Sequence, residues 1–171
     1  MNEPIGHIRF RPIGLVHSSL KDPVGAPIQS VSAKSVAGIV EVFPSFAGGL
    51  KDIEGFSHLI LLYHFHLSRR FRLRVTPFLD NTEHGVFSTR SPSRPNPIGM
   101  SVVEVLGVRG RKIRVRGLDV VDGTPLLDIK PYVPAFDAIR ARRVGWYAGR
   151  VAKSRISSTK ADGRFVRRGA Q

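Results

Sequence analysis

Ser101-Val-Val-Glu-Val-Leu-Gly-Val-Arg-Gly-Arg-Lys-Ile-Arg-Val-Arg-Gly-Leu-Asp-Val-Val-Asp-Gly-Thr-Pro-Leu-Leu-Asp-Ile129 is the stretch whose reading decides the fold. Its β-branched runs are short and broken by Gly-containing pairs, so it predicts strands over 101–108, 112–121 and 124–129. Arg109-Gly110 and Asp122-Gly123 are read as hairpin turns. Outward from it, the most apolar run, 58–67, reads as a central strand. Period two puts His58, Ile60, Leu62, His64 and His66 on one face and Leu59, Leu61, Tyr63, Phe65 and Leu67 on the other. Residues 5–17 and 37–43 read as two further strands, with Asp22-Pro-Val-Gly-Ala-Pro27 as loop between them. The segment 44–55 suits one short helix or turn. Strands this short and this closely spaced, with no helical pattern of ten residues before the tail, predict a mainly β, single-domain antiparallel barrel with short helices.

Between 69 and 77 the chain alternates. As a half-buried strand this segment would set Arg70, Arg72 and Arg74 on one side, about 7 Å apart and near the spacing of successive phosphates. An ordinary solvated face has the same pattern. The irregular part is Phe87-Ser-Thr-Arg-Ser-Pro-Ser-Arg-Pro-Asn-Pro-Ile-Gly-Met-Ser101. Pro92, Pro95 and Pro97 fix φ and remove amide donors, so 91–97 must be a stiff extended loop embedded in the domain. It is expected to present Arg90, Ser91, Ser93, Arg94 and Asn96, groups suited to carboxylates, phosphates and polar edges.

The chain of 171 residues carries a net charge of +14 and a pI of about 11.3, a level at which a polyanion is the expected partner. The charge is uneven. From position 138 onward ten Lys or Arg face Asp162 alone, nine of the fourteen net charges. The expected division is therefore a barrel over 1–137 and a basic extension over 138–171. In that extension Gly145-Trp-Tyr147 could dock its start, and poor order is expected beyond Arg150. A solvated tail and an RNA-binding arm remain alternatives for it. The absence of cysteine excludes disulfides and thiolate chemistry. The first ten residues have no apolar leader and no run is long enough for a membrane span, so a soluble, cytoplasmic protein is expected. His64 and His66, two apart, could begin a metal site, but no third ligand is specified and no metal is expected.

Gly55-Phe-Ser-His-Leu59, the 87–101 loop and Leu118-Asp-Val-Val-Asp-Gly-Thr-Pro-Leu-Leu-Asp-Ile-Lys-Pro-Tyr132, in that order, resemble the TsaA-like (TrmO, formerly YaeB) family of S-adenosylmethionine-dependent tRNA methyltransferases. The resemblance runs from about residue 13 to 137. It implies methylation of N6 of threonylcarbamoylated adenosine 37, next to the anticodon, and a homodimer with the cofactor near its interface. It also implies a non-Rossmann cofactor site on barrel loops, in keeping with a chain that has no Gly-x-Gly anywhere. The cofactor positions it implies are Ser30, Val31, Ser32, His66, Leu67, Arg90, Met100, Leu118 and Asp119. Longer bacterial members carry a second domain where this chain has only its basic tail, so the expectation is either that tRNA targeting differs or that it falls to the tail and the arginine row.

The chemistry narrows the catalytic candidates. Methyl transfer from a sulfonium needs alignment of the acceptor and an acceptor for one proton more than a protein nucleophile. Asn96, between two prolines, offers an amide. Asp119, Asp122 and Asp128 offer carboxylates, although Asp122-Gly123 is first of all a turn. Tyr132 could stack on a base or pack. The catalytic expectation is Asn96, Asp122 and Tyr132, and the RNA expectation is Arg70, Arg72, Arg74, Arg94 and Lys130. Two alternatives stay open: a methyltransferase of the same fold acting on a small molecule, and a basic S-adenosylmethionine- and RNA-binding barrel without turnover.

Overall fold

The computed structural model describes residues 6–68 and 70–166. In chain order its strands are β1 (Gly14–Ser18), β2 (Ala37–Val42), β3 (His58–His64), β4 (Arg74–Val75), β5 (His84–Gly85), β6 (Ile98–Arg109), β7 (Lys112–Arg116) and β8 (Thr124–Pro131). Two short helices follow, α1 (Pro134–Asp137) and α2 (Lys153–Ser158). Six strands close a barrel in the order β1-β2-β7-β6-β3-β8, with β8 returning to β1, and every pairing is antiparallel. Closure leaves no open edge, which is what lets such short strands persist.

The alternation of β3 carries through. Leu59, Leu61 and Tyr63 point into the barrel, while the residues between them are partly or fully exposed. Val16, Val40, Ile113, Val115, Leu118 and Leu126 meet them in one core. Each such side chain removed from water is worth about 1.5–3 kcal/mol. The β6–β7 hairpin turns one residue later than the sequence suggests. Arg109 pairs with Lys112, and Gly110 takes φ +56 at the first central position of the two-residue loop.

Other expectations shift. Residues 6–13 are coil and β1 starts only at Gly14, so the strand expected from residue 5 shortens to its second half, and Ile5 lies outside the described residues. Asp122-Gly123 turns the chain, with Gly123 at φ +75, but it joins no hairpin: β8 pairs with β1 and β3, and β7 with β2 and β6. The reason is Gly117, whose φ of +91 ends β7 early. Residues 118–120 then bond beside the ends of β1 and β2, Leu118 N–H to the Val36 carbonyl (3.2 Å) and Ser18 Oγ to the Val120 carbonyl (2.6 Å).

The arginine row is not a half-buried strand. Only Arg74 and Val75 are in a ladder, while Phe71 and Leu73 are exposed like the arginines between them; Arg69 lies outside the described residues. The polar hydroxyls of the proline loop are also not presented: Ser91 and Ser93 are buried, and Ser91 Oγ accepts from the Ser93 N–H.

The basic C-terminal segment is docked rather than free. Gly25 N–H donates to the Ala161 carbonyl at 2.7 Å, and Ala161 N–H to the Ala26 carbonyl at 2.9 Å. Phe165 is buried against Val75 and Val86, Arg164 donates to the Thr76 and Pro77 carbonyls, and Trp146 Nε1 donates to the Ser88 carbonyl at 2.7 Å. Apolar residues interleaved with the charges hold it, and a charge count does not register them. Arg167 and Arg168 lie outside the described residues.

Candidate functional site

At one end of the barrel a cavity of about 720 Å³ is enclosed by the 23–31 loop, the exit of β3, the proline loop, the start of β6, the stretch after β7 and the C-terminal segment. This is the size of a site for a nucleoside-sized ligand. Its wall is mostly apolar, and its charged members converge from different elements.

Asp119 follows the buried Leu118, whose amide is fixed by the Val36 carbonyl, and so its carboxyl is set against the barrel end. The side chain accepts a 2.5 Å hydrogen bond from Ser101 Oγ on β6, and Ser101 Oγ is 2.9 Å from the Tyr63 hydroxyl on β3. With the Ser101 hydroxyl donating to Asp119, the Tyr63 hydroxyl donates to Ser101. The result is a chain of hydroxyls ending on a carboxylate. Burial raises the Asp119 carboxyl to about 6, against the lowering effects of Ser101, the Asp119 and Ser30 backbones and the Arg90 charge. Burial first and the neighbouring Asp119 second push the Tyr63 phenol far up, so it stays protonated. Gly99 makes this arrangement possible. A Cβ there would come within 2.2 Å of the Tyr63 ring, which lies across the strand at its paired position.

Arg90 is exposed on the cavity wall, donates from Nη1 to Gln29 Oε1 at 2.9 Å, and is near enough to lower Asp119. A guanidinium and a carboxylate facing one apolar cavity suit a zwitterionic ligand with an aromatic or aliphatic body. Val31, His66, Leu67 and Met100, four of the positions that the resemblance implied, are also on the wall. Burial lowers the His66 imidazole, so it is neutral at pH 7. Three implied cofactor residues act differently. Leu118 is a core side chain, Ser32 Oγ donates to the Ile156 carbonyl, and Ser30 contributes its backbone to Asp119.

None of Asn96, Asp122 and Tyr132 is part of the cavity wall. Asn96 is exposed, and its carbonyl takes the Ile98 N–H at 2.7 Å. Asp122 is a turn carboxylate: its Oδ1 accepts from Ser18 N–H at 3.0 Å and its Oδ2 from Lys21 Nζ at 2.7 Å, which hold its pKa low. Tyr132 packs edge-on against His58, ring centres 6.3 Å apart. Of the RNA candidates, Arg94 braces the loop through its Nη1 bond to the Thr89 carbonyl at 2.9 Å, and Lys130 pairs with Asp128 at 2.8 Å. Arg70, Arg72 and Arg74 are exposed. Among the described residues no three His, Asp or Glu lie together as a metal site would need, and no helix is long and apolar enough to cross a membrane.

Sequence reasoning missed Tyr63, Ser101 and the whole C-terminal wall, where Val144, Trp146, Tyr147, Val151 and Ile156 border the cavity. A hydroxyl at Ser101 inside an otherwise apolar alternation was the available signal. Nothing local identified its partners, because the β3–β6 register that brings Tyr63 to it is a tertiary fact.

The family model described as the tRNA-methyltransferase O N-terminal domain matches residues 15–138. A probable S-adenosyl-L-methionine-binding protein of Pyrococcus abyssi is 52% identical over 158 residues, covering 92% of this chain and 85% of that protein. A tRNA (adenine(37)-N6)-methyltransferase of Mus musculus is 36% identical over 140 residues, 78% of this chain and 32% of the mouse protein. The crystal structure of TrmO from Pseudomonas aeruginosa matches with a TM-score of 0.69 at 36% identity, covering 82% of this chain and 63% of that one. The chain thus spans less than two thirds of the length of that solved relative.

Proposed function

As the chain belongs to the tRNA-methyltransferase O family, we propose that it transfers a methyl group from S-adenosylmethionine to N6 of adenosine 37 in tRNA, in its threonylcarbamoylated form. The observation that carries this reading is the placement of Asp119 and Arg90 on one apolar cavity of about 720 Å³ at the barrel end. The residues present fit the cofactor: Arg90 suits its carboxylate, Asp119 suits a cationic or hydroxyl group, and Met100, Leu67 and Val31 suit its uncharged body. When bound, the cofactor supplies an activated methyl on a sulfonium.

The protein's part is alignment and management of a proton. Ser101 and the Ser30 backbone hold the Asp119 carboxylate in one orientation, and Tyr63 locks Ser101 in turn. A carboxyl raised to about 6 is ionised at pH 7 yet close enough to that pH to accept a proton from an amine losing one. The neutral His66 adds no positive charge beside a cationic ligand.

The same reading expects a homodimer working in the cytoplasm, where tRNA is its substrate; sedimentation tests the first. The cofactor assignment is tested by titration calorimetry of the full chain with S-adenosylmethionine. Arg90→Ala should weaken binding by about ten- to a hundredfold, the scale of a charged hydrogen bond. Wild-type affinity in that variant would remove Arg90 from the site. Failure of the wild type to bind would leave a basic barrel without this chemistry.

A further inference from the structure

Among the described residues Arg94, Arg111 and Arg150 are the half-buried arginines. Two of them have a carboxylate: Arg111 Nη2 lies 3.5 Å from Glu41 Oε1, and Arg150 Nε lies 3.4 Å from Asp80 Oδ2. Arg94 has only neutral partners. Its Nη1 donates to the Thr89 carbonyl at 2.9 Å and, at longer range, to the Ser91 and Val86 carbonyls at 3.4 and 3.5 Å. Nε and Nη2 have no partner among the described residues, and no buried side-chain nitrogen there is left unbonded, so this edge of the guanidinium is accessible. A cation taken partly out of water with no carboxylate beside it is a site for an anion.

The site belongs to the cavity, because Arg94 and Arg90 are both on its wall. Both charges also act on the Tyr147 phenol, which burial raises and they lower, so the two guanidiniums reach one stretch of that wall. Arg94 is held in place from several directions. Its N–H donates to the Pro92 carbonyl at 2.9 Å, and Ser68 Oγ donates to the same carbonyl at 2.9 Å, so the fork is set before any ligand arrives. The wall's charges are then nearly matched. Asp162 is paired with Arg164 at 2.7 Å, and the cofactor's carboxylate and ammonium take Arg90 and Asp119. Arg94 is left over, and its anion has to come with the methyl acceptor.

We propose that the open edge of Arg94 binds the threonyl carboxylate of the acceptor nucleoside, and so selects the threonylcarbamoylated base over plain adenosine. The inference rests on the reaction proposed above and assigns its selectivity to one residue. The carboxylate is joined through the carbamoyl group to the nitrogen that is methylated, so it enters the cavity whenever that nitrogen does. A backbone phosphate is separated from the same nitrogen by the base and the sugar. Two parallel N–H donors on a planar fork match the two oxygens of a carboxylate, and a site built for that pair rejects an acceptor that lacks it.

The test measures affinity of the full chain, saturated with S-adenosylhomocysteine, for two anticodon stem-loops that differ only at the acceptor: one with the threonyl carboxylate free, one with it converted to the methyl amide. Wild type should favour the acid about ten- to a hundredfold, the scale of a charged hydrogen bond. Arg94→Gln should bring the acid down to the level of the amide and leave amide binding in place. Arg94→Lys, which keeps the charge without the fork, should retain part of the preference. Comparing the two stem-loops on wild type needs no variant, so it decides the matter even where Arg94→Gln loosens the loop. Equal wild-type affinity for acid and amide would overturn the proposal. An equal loss on both stem-loops in Arg94→Gln, at an unchanged melting temperature, would overturn it too, by making Arg94 a phosphate contact. So would a preference that survives in Arg94→Gln and disappears in Arg90→Ala. A preference for the acid with no methyl transferred would support the carboxylate site and contradict only the reaction.

Discussion

Asp119 shows how a single residue can cost stability for the sake of a site. Its carboxyl, ordinarily near 3.8, is raised to about 6 by burial, so the folded chain binds a proton more readily than the unfolded one. Between those two values the native state therefore holds more protons, and stability falls as pH rises through that window. Above it the full penalty applies, at most on the order of 3 kcal/mol. Asp119→Asn should melt higher than wild type at pH 7 to 8, with the difference shrinking toward pH 4, and should bind S-adenosylmethionine more weakly. Melting curves against pH check the first part and calorimetry the second; a variant less stable than wild type at pH 8 would mean that the carboxylate is satisfied by its neighbours. Asp80 works in the opposite direction. The His84 hydrogen bond holds it at about 2, so its contribution is present above the ordinary carboxylate range and lost as pH falls. Arg90 and Asp119 were legible in the sequence because the motifs carrying the resemblance contain them. Asn96 read as functional because prolines flank it, but rigidity does not decide whether a side chain faces the cavity.

At the scale of elements, strands were easier to read than their partners. The alternation of 58–64 was enough to identify β3 and its buried face, since period two needs only local sequence. The pairing of β8 with β1 and β3 was not, because it depends on where Gly117 stops β7 and sends the chain. The C-terminal segment is revised in its second half. Docking was expected only at Gly145-Trp146-Tyr147, with poor order beyond Arg150, while Ile156 also borders the cavity and Phe165 is buried against Val75 and Val86. Trp146 helps fasten it, stacked on His84 at 4.4 Å and bonded to the Ser88 carbonyl at 2.7 Å. Stacks of this kind are worth about 0.5–1.5 kcal/mol each beyond the area they bury. Trp146→Ala should speed tryptic cleavage within 140–160 and weaken S-adenosylmethionine binding about tenfold, while the barrel melts within a few degrees of wild type. Faster cleavage with unchanged affinity would show that the segment borders the cavity without serving it.

For the whole molecule, a closed barrel with an apolar core supports loops and a C-terminal segment that together enclose one polar-lipped cavity. A net charge of +14 surrounds it, suited to drawing in a polyanion before any specific contact forms. Composition made that charge plain from the start, and the spacing of short strands made the barrel plain. Where the cavity lies, and which charges face it, depended on the tertiary register. The central claim is that the cavity serves methyl transfer to one tRNA base. Its most direct test incubates the full chain with S-adenosylmethionine and tRNA carrying threonylcarbamoyladenosine at position 37, followed by mass spectrometry of the digested nucleosides. The account predicts one added methyl group, located on that nucleoside alone and absent when Asp119→Asn replaces the wild type. Cofactor bound with normal affinity beside unmethylated tRNA would contradict it.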